Sequence, residues 1–111
     1  MQLDFLQAVM LTIPIEAFVY WLCVRKEVSA ELMISSSAIL NLLTLPIVWY
    51  AFPAFIPNYW VSLVLSEITV FFLEAVLLSG IFSIDLKRAL RISLFANASS
   101  FLLGMAIQYF L

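Results

Sequence analysis

The sequence predicts an all-α integral membrane protein with four transmembrane helices. Of its 111 residues, 66% are hydrophobic, and the mean hydropathy of +1.16 is too high for a water-soluble domain. Because a membrane span needs about 20 residues, the chain has room for four spans with short connections. We therefore expect one membrane domain over residues 1–111, in which the four helices form a bundle.

The first predicted span runs from about residue 5 to residue 24. It ends at the charged turn Arg25-Lys26-Glu27, which a bilayer core would not accept. Pro14 lies inside the span and predicts a kink, because its ring removes a backbone donor. Asp4 stands where a secretory signal would carry a basic residue, so we expect the first span to remain as a helix.

The second and third spans are predicted at about residues 31–52 and 60–82. Segment 53–58 contains two prolines and is predicted to break the helix, and Trp and Tyr residues flank it as an interfacial aromatic belt. The third span is expected to end at Gly80 and the polar turn 83–88.

The fourth span is predicted from about residue 89 to residue 111. Small and polar side chains recur along one of its faces at Ser93, Asn97, Ser100, Gly104 and Gln108. Such a face lets a neighbouring helix approach closely and supplies hydrogen bonds between helices.

The basic residues predict the orientation. All five lie in or beside the first and third turns, at Arg25, Lys26, Lys87, Arg88 and Arg91. Cytoplasmic turns carry the excess of Lys and Arg in membrane proteins. We therefore expect a multi-pass protein of the cell (cytoplasmic) membrane, with both termini extracytoplasmic.

An internal repeat is predicted from two similar patterns. Glu16-Ala17 and Glu74-Ala75 are each followed by an apolar half-span, a basic turn and the spacing Ser-x-x-x-Asn-x-x-Ser/Thr. Within this spacing, Ser37 matches Ser93, Asn41 matches Asn97, and Thr44 matches Ser100. This predicts two parallel-repeat helical hairpins, at about 5–52 and 60–111, related by a pseudo-twofold axis along the membrane normal.

Three acids inside the predicted spans define the candidate site. A charged side chain at the bilayer centre costs roughly 2.5 to 3.5 kcal/mol on insertion scales, so Glu16, Glu67 and Glu74 should face the bundle interior. No Lys, Arg or His lies in the interior of a span, so each acid is either protonated or neutralised by a cation, a substrate amine or a base of a partner subunit. The candidate polar or ion site comprises Glu16, Glu67, Glu74, Asn41, Asn97, Thr12, Ser37, Thr44, Ser93 and Ser100.

Two functions remain open at this point. The first is proton- or cation-coupled transport or binding, because intramembrane acids typically serve ion pathways. The alternative is a structural or assembly subunit of a larger membrane complex, with the face from Ser93 to Gln108 as its docking surface. Under either hypothesis we expect contact with the lipid bilayer and either a homo-oligomer or a membrane partner subunit.

Several classes of function are not favoured. The chain has no His, no nucleophile beside a base, no metal-ligand cluster and no Gly-rich phosphate loop, so we expect neither an enzyme nor a cofactor. It also has no basic surface that would bind nucleic acid.

In its length, its number of predicted spans and its first-span Glu16, the chain resembles the small multidrug resistance transporters. Those proteins have a weak charge bias and a single membrane acid, whereas this chain has three such acids and five basic residues on one side. The resemblance therefore implies a four-span architecture and assigns no functional residue.

Overall fold

The computed structural model describes residues 3–110 and confirms an all-helical chain with four helices long and apolar enough to cross a membrane. No strand occurs within that range. Residue 111, the last of the predicted fourth span, lies outside the described residues, as do residues 1 and 2. The first to fourth helices comprise Phe5–Val24, Ala30–Phe55, Tyr59–Ile81 and Leu86–Phe110.

Each helix begins directly after a polar residue that caps it. In every case the side chain accepts a hydrogen bond from the backbone N–H three residues later, which satisfies one of the donors that a helix N-terminus leaves unpaired. These residues are Asp4, Ser29, Asn58 and Asp85. The caps explain why the helices start where the charged and proline-containing turns end.

The second helix is longer than the sequence predicted. The expectation that Pro53 lies in a loop is wrong, because the helix continues to Phe55. A π-helical section, Ile47–Ala51, follows Pro46 directly. Pro53 then lies in the first turn of the final α-helical segment, where a missing backbone N–H is tolerated.

The third helix ends at Ile81, within one residue of the predicted end at residue 82. Gly80 is still helical, and the chain turns at Ser83, which has a φ of +54°. The turn is closed by the N–H of Ile84, which donates to the carbonyl oxygen of Ser79 at 3.2 Å. The Ser79 hydroxyl in turn donates to the carbonyl oxygen of Ile84 at 2.8 Å. This 6→1 closure is the Schellman pattern, which usually places glycine in the left-handed position.

The four helices pack in a ring. The first helix contacts the second and the fourth, the fourth contacts the third, and the second reaches the third mainly through its last part, from Ile47 to Phe55. Large apolar side chains cover the outside of the bundle, as at Met10, Ile39, Phe72 and Leu102. A surface of this kind suits the hydrocarbon interior of a bilayer.

An apolar core fills the half of the bundle next to the first and third turns. The ring of Tyr20 meets the ring of Phe82 edge-on, with 5.5 Å between the centroids. The core consists of Val19, Tyr20, Val24, Met33, Leu40, Leu78, Phe82, Ala89, Ile92 and Ala96. Close packing therefore seals this end of the bundle.

Polar contacts reinforce the sealed end. Arg88 lies near the start of the fourth helix and forms a bidentate ion pair with Glu27. Glu27 lies in the connection between the first and second helices. Its guanidinium also donates to the carbonyl oxygen of Cys23 at 2.8 Å. The hydrogen bonds from Arg88 lower the pKa of the Glu27 carboxyl from its ordinary value. The two turns are thereby joined by a charged contact.

The turn at Ser83 gives a first prediction. Replacing Ser83 with glycine should raise the free energy of unfolding by about 0.5–1 kcal/mol, because glycine adopts positive φ without the strain that a Cβ causes. Thermal unfolding in mild detergent measures the change. Ser83→Ala keeps the Cβ and should give no such gain; equal stability of the two variants would contradict the explanation.

Candidate intramembrane polar site

Glu16 and Glu74 lie at the centre of the bundle. Glu16 and Glu74 are 1% and 0% exposed, although each lies near the middle of a predominantly apolar helix. Both carboxyl groups therefore face protein, as the cost of placing an acid in lipid requires. A buried carboxyl group must also find hydrogen-bond partners, and the second and fourth helices supply them.

Glu16 is held by two other helices. Its Oε1 accepts a hydrogen bond from Nδ2 of Asn41 at 3.2 Å, and its Oε2 accepts one from Oγ of Ser100 at 3.0 Å. Asn41 belongs to the second helix and Ser100 to the fourth. One carboxyl group thus connects three helices.

Glu74 has the equivalent arrangement. Its Oε2 accepts a hydrogen bond from Nδ2 of Asn97 at 2.9 Å, and its Oε1 accepts one from Oγ1 of Thr44 at 3.2 Å. Here the amide comes from the fourth helix and the hydroxyl from the second. Each glutamate therefore receives its amide from the next long helix along the chain and its hydroxyl from the other hairpin.

Two serines attach the same helices to each other beside the carboxyl groups. The hydroxyl of Ser37 donates to the carbonyl oxygen of Ile13 at 2.8 Å, and that of Ser93 donates to the carbonyl oxygen of Phe71 at 2.8 Å. Each acceptor lies three residues before a glutamate. The serines thus bring the second and fourth helices close to the backbone that carries the acids.

The two asparagines direct their nitrogen atoms, not their oxygen atoms, toward the carboxyl groups. Nδ2 of Asn41 also donates to the carbonyl oxygen of Ser37 at 2.8 Å, and Nδ2 of Asn97 donates to that of Ser93 at 2.9 Å. These bonds to the preceding turn fix the orientation of each amide. In the structure each amide is therefore the donor to its carboxyl group.

The hydroxyl of Thr44 has two possible hydrogen-bond acceptors. Its Oγ1 lies 2.8 Å from the carbonyl oxygen of Leu40 and 3.2 Å from Oε1 of Glu74, but it carries a single hydrogen. When Glu74 is ionised, the hydroxyl donates to the carboxylate. When Glu74 is protonated, the carboxyl group donates to Oγ1, and the hydroxyl donates to the backbone.

Ser100 has the same choice for Glu16. Its Oγ lies 3.0 Å from Oε2 of Glu16 and 3.2 Å from the carbonyl oxygen of Asn97. Rotation of one hydroxyl hydrogen therefore adapts either site to a charged or a neutral carboxyl group. The network accommodates both protonation states without moving a heavy atom.

Tyr20 is a member of the site that sequence reasoning missed. Its side chain is fully buried, and its hydroxyl is directed toward Glu16, although it forms no hydrogen bond of standard geometry within residues 3–110. The sequence signal was its position four residues after Glu16, which places it on the same helix face.

A cavity of about 290 Å³ leads from the carboxyl pair toward the end of the bundle opposite the apolar core. Leu3 and Gln108, near the two ends of the described chain, line its outer part. Aromatic side chains of Trp49, Tyr59 and Phe101 form part of its wall. No Lys or Arg of the described residues lines it.

Glu67 and Thr12 line this cavity but do not join the network. Glu67 is half-buried, lies two turns before Glu74 and accepts no hydrogen bond from residues 3–110. Thr12 lies one turn before Glu16. The other eight residues of the predicted site come together: Glu16, Glu74, Asn41, Asn97, Ser37, Thr44, Ser93 and Ser100.

The polar face of the fourth helix does not form the docking surface suggested by the sequence. Ser93, Asn97 and Ser100 bond to the first and third helices of the same chain, and Gly104 lines the cavity. The face is turned inward because its hydroxyl and amide groups are the donors that the buried acids need.

The serine bonds give a second prediction. Ser37→Ala and Ser93→Ala should each lower the free energy of unfolding by about 0.6–2 kcal/mol, because each change removes one hydrogen bond between helices in an apolar setting. Unfolding in mild detergent measures both. Ser35→Ala, at an exposed position of the same helix as Ser37, should leave stability unchanged. A loss at Ser35 equal to that at Ser37 would contradict the assignment.

Comparison with known proteins adds no relative: no family model matches the chain, and no curated protein or solved structure matches it. The fold and the buried acids therefore stand on the structure alone. Four apolar helices around buried glutamates with polar partners make this chain a small multi-pass membrane protein.

Proposed function

We propose that this protein binds a small cation at the Glu16 and Glu74 carboxyl groups and exchanges it for protons. The observation that carries the proposal is the paired arrangement of these acids, each held by one amide and one hydroxyl that serve both the protonated and the ionised form. A site that keeps its hydrogen bonds in either state can release a proton when a cation arrives and take it back when the cation leaves.

The charge around the cavity supports a cation as the ligand. Glu16, Glu67 and Glu74 line it, with no basic side chain of the described residues to neutralise them. A concave wall of one charge sign in a low-dielectric surrounding attracts the opposite sign. Protons and the cation would compete for the same carboxyl oxygens, so binding should strengthen as pH rises.

The size and composition of the site narrow the kind of cation. A volume of about 290 Å³ is at the lower limit of sites that hold drug-sized ligands. No group of three His, Cys, Asp or Glu within the described residues is arranged to hold a metal ion. These features favour a monovalent ion or a small organic ammonium.

The paired contacts also support the proposed repeat. Glu16 and Glu74, Asn41 and Asn97, and Thr44 and Ser100 make equivalent hydrogen bonds in the two hairpins. A pseudo-twofold axis along the membrane normal would relate the hairpins and pass between the two carboxyl groups. With the basic turns on the cytoplasmic side, the cavity would open to the outside and the apolar core would close the inside.

Exchange across the membrane requires a second arrangement of the hairpins. The contacts that would have to separate are those at the sealed end, between Arg88 and Glu27 and between the rings of Tyr20 and Phe82. Each of these pairs joins one hairpin to the other. Rocking of one hairpin against the other around a central site is the usual motion in proteins built from repeats.

The third prediction tests the exchange. In proteoliposomes that enclose a pH-sensitive dye, addition of Na⁺, K⁺ or methylammonium should drive proton movement through the unaltered protein. Glu16→Gln and Glu74→Gln should each abolish it, because an amide can neither release a proton nor offer a charged oxygen. Glu31→Gln, at an exposed position in the first turn of the second helix, should leave it intact.

The folding of each variant is checked by its unfolding temperature and its elution in mild detergent. If correctly folded Glu16→Gln and Glu74→Gln proteins move protons as the unaltered protein does, the carboxyl pair only holds the helices together and the proposal is wrong.

A further inference from the structure

The three acids of the cavity are separated along its length. Glu16 and Glu74 lie together at its inner end, whereas Glu67 lies on the wall two turns nearer the mouth. Seven residues of helix correspond to a rise of about 10 Å. The cavity therefore has two acidic positions, one deep and one shallow.

The deep position has two carboxyl groups. Glu16 and Glu74 both line the cavity, and no basic side chain of the described residues lines it with them. A primary ammonium carries three N–H donors and can therefore bond to both carboxyl groups.

The shallow position has a single acid, Glu67, and no hydrogen-bond donor of the described residues beside it. Glu67 accepts no hydrogen bond from residues 3–110, and its neighbours on the cavity wall include Leu63 and Phe101. Burying a carboxylate without a partner is costly. A second ammonium at this position would neutralise the acid, and the apolar wall would contact the chain that joins the two charges.

We propose that the cavity binds a linear diamine, with one ammonium bonded to Glu16 and Glu74 and the other bonded to Glu67. The proposal rests on the cation binding proposed above and names the class of ligand. After an N–H···O distance of about 2.8 Å is allowed at each end, the separation of the acids leaves about 5 Å between the two nitrogen atoms. A chain of three or four carbon atoms spans this distance.

A ligand with one charge fits the cavity less well. A monoamine of the same length would fill the deep position but place a methyl group beside Glu67. An inorganic ion would make no use of the aromatic wall. Two charges at a fixed separation are what distinguish a diamine from both, because each charge meets its own acid.

The fourth prediction measures binding by calorimetry to the full chain in nanodiscs of neutral phosphatidylcholine. Diamines of two, three, four and eight carbon atoms are compared with propylamine and butylamine. The three- and four-carbon diamines should bind at least about tenfold more tightly than the monoamines of equal length, and than the shorter and longer diamines, because the second ion pair forms at a partly desolvated position.

Two variants assign the ends of the ligand. Glu67→Gln should reduce diamine affinity to that of the monoamine and leave monoamine affinity unchanged. Glu16→Gln should weaken both ligands by a similar factor, because it removes a charged oxygen from the deep position. Glu31→Gln, an exposed acid outside the cavity, should change neither affinity.

Equal affinities for diamines and monoamines in the unaltered protein, or an undiminished diamine preference in Glu67→Gln, would overturn the diamine proposal. Either result leaves the exchange of monovalent cations for protons standing if Glu16→Gln and Glu74→Gln abolish it. Should those two variants retain the exchange, the failure lies with the proposed function instead.

Discussion

A carboxyl group inside an apolar bundle must have polar partners, and the arrangement of this protein follows from that constraint. Glu16 and Glu74 each need donors that their own helices cannot supply, since the backbone N–H groups of a helix are already used. The donors come from the second and fourth helices. The acids therefore decide which faces of those helices turn inward, and the apolar residues cover the outside.

The same constraint divides the bundle into two halves. Toward the first and third turns, where no acid is buried, side chains such as Tyr20, Leu78 and Phe82 pack together and close the interior. Beyond the acids, polar and aromatic side chains leave a cavity. The cavity therefore lies between the carboxyl pair and the end of the bundle opposite the apolar core.

Much of this arrangement was predictable from the sequence. Hydropathy and span length predict the four helices, and the spacing of Ser37, Asn41 and Thr44 places them on one face. The bond from Thr44 to Glu74 was not predictable, because spacing within a helix does not say which helix lies opposite. Tyr20 was missed because an aromatic ring among apolar residues resembles core packing, and the left-handed Ser83 because glycine is the usual residue there.

The exchange of hydroxyl groups between the hairpins has a consequence for how the chain is assembled. Each half carries one acid whose second partner is found only in the other half, at Ser100 for Glu16 and at Thr44 for Glu74. The contacts that hold the two hairpins together thus lie on the surfaces that face each other, and segment 56–58 connects the hairpins. Two fragments synthesised separately, one for each hairpin, should therefore associate, because each carries a hydroxyl that bonds to the glutamate of the other.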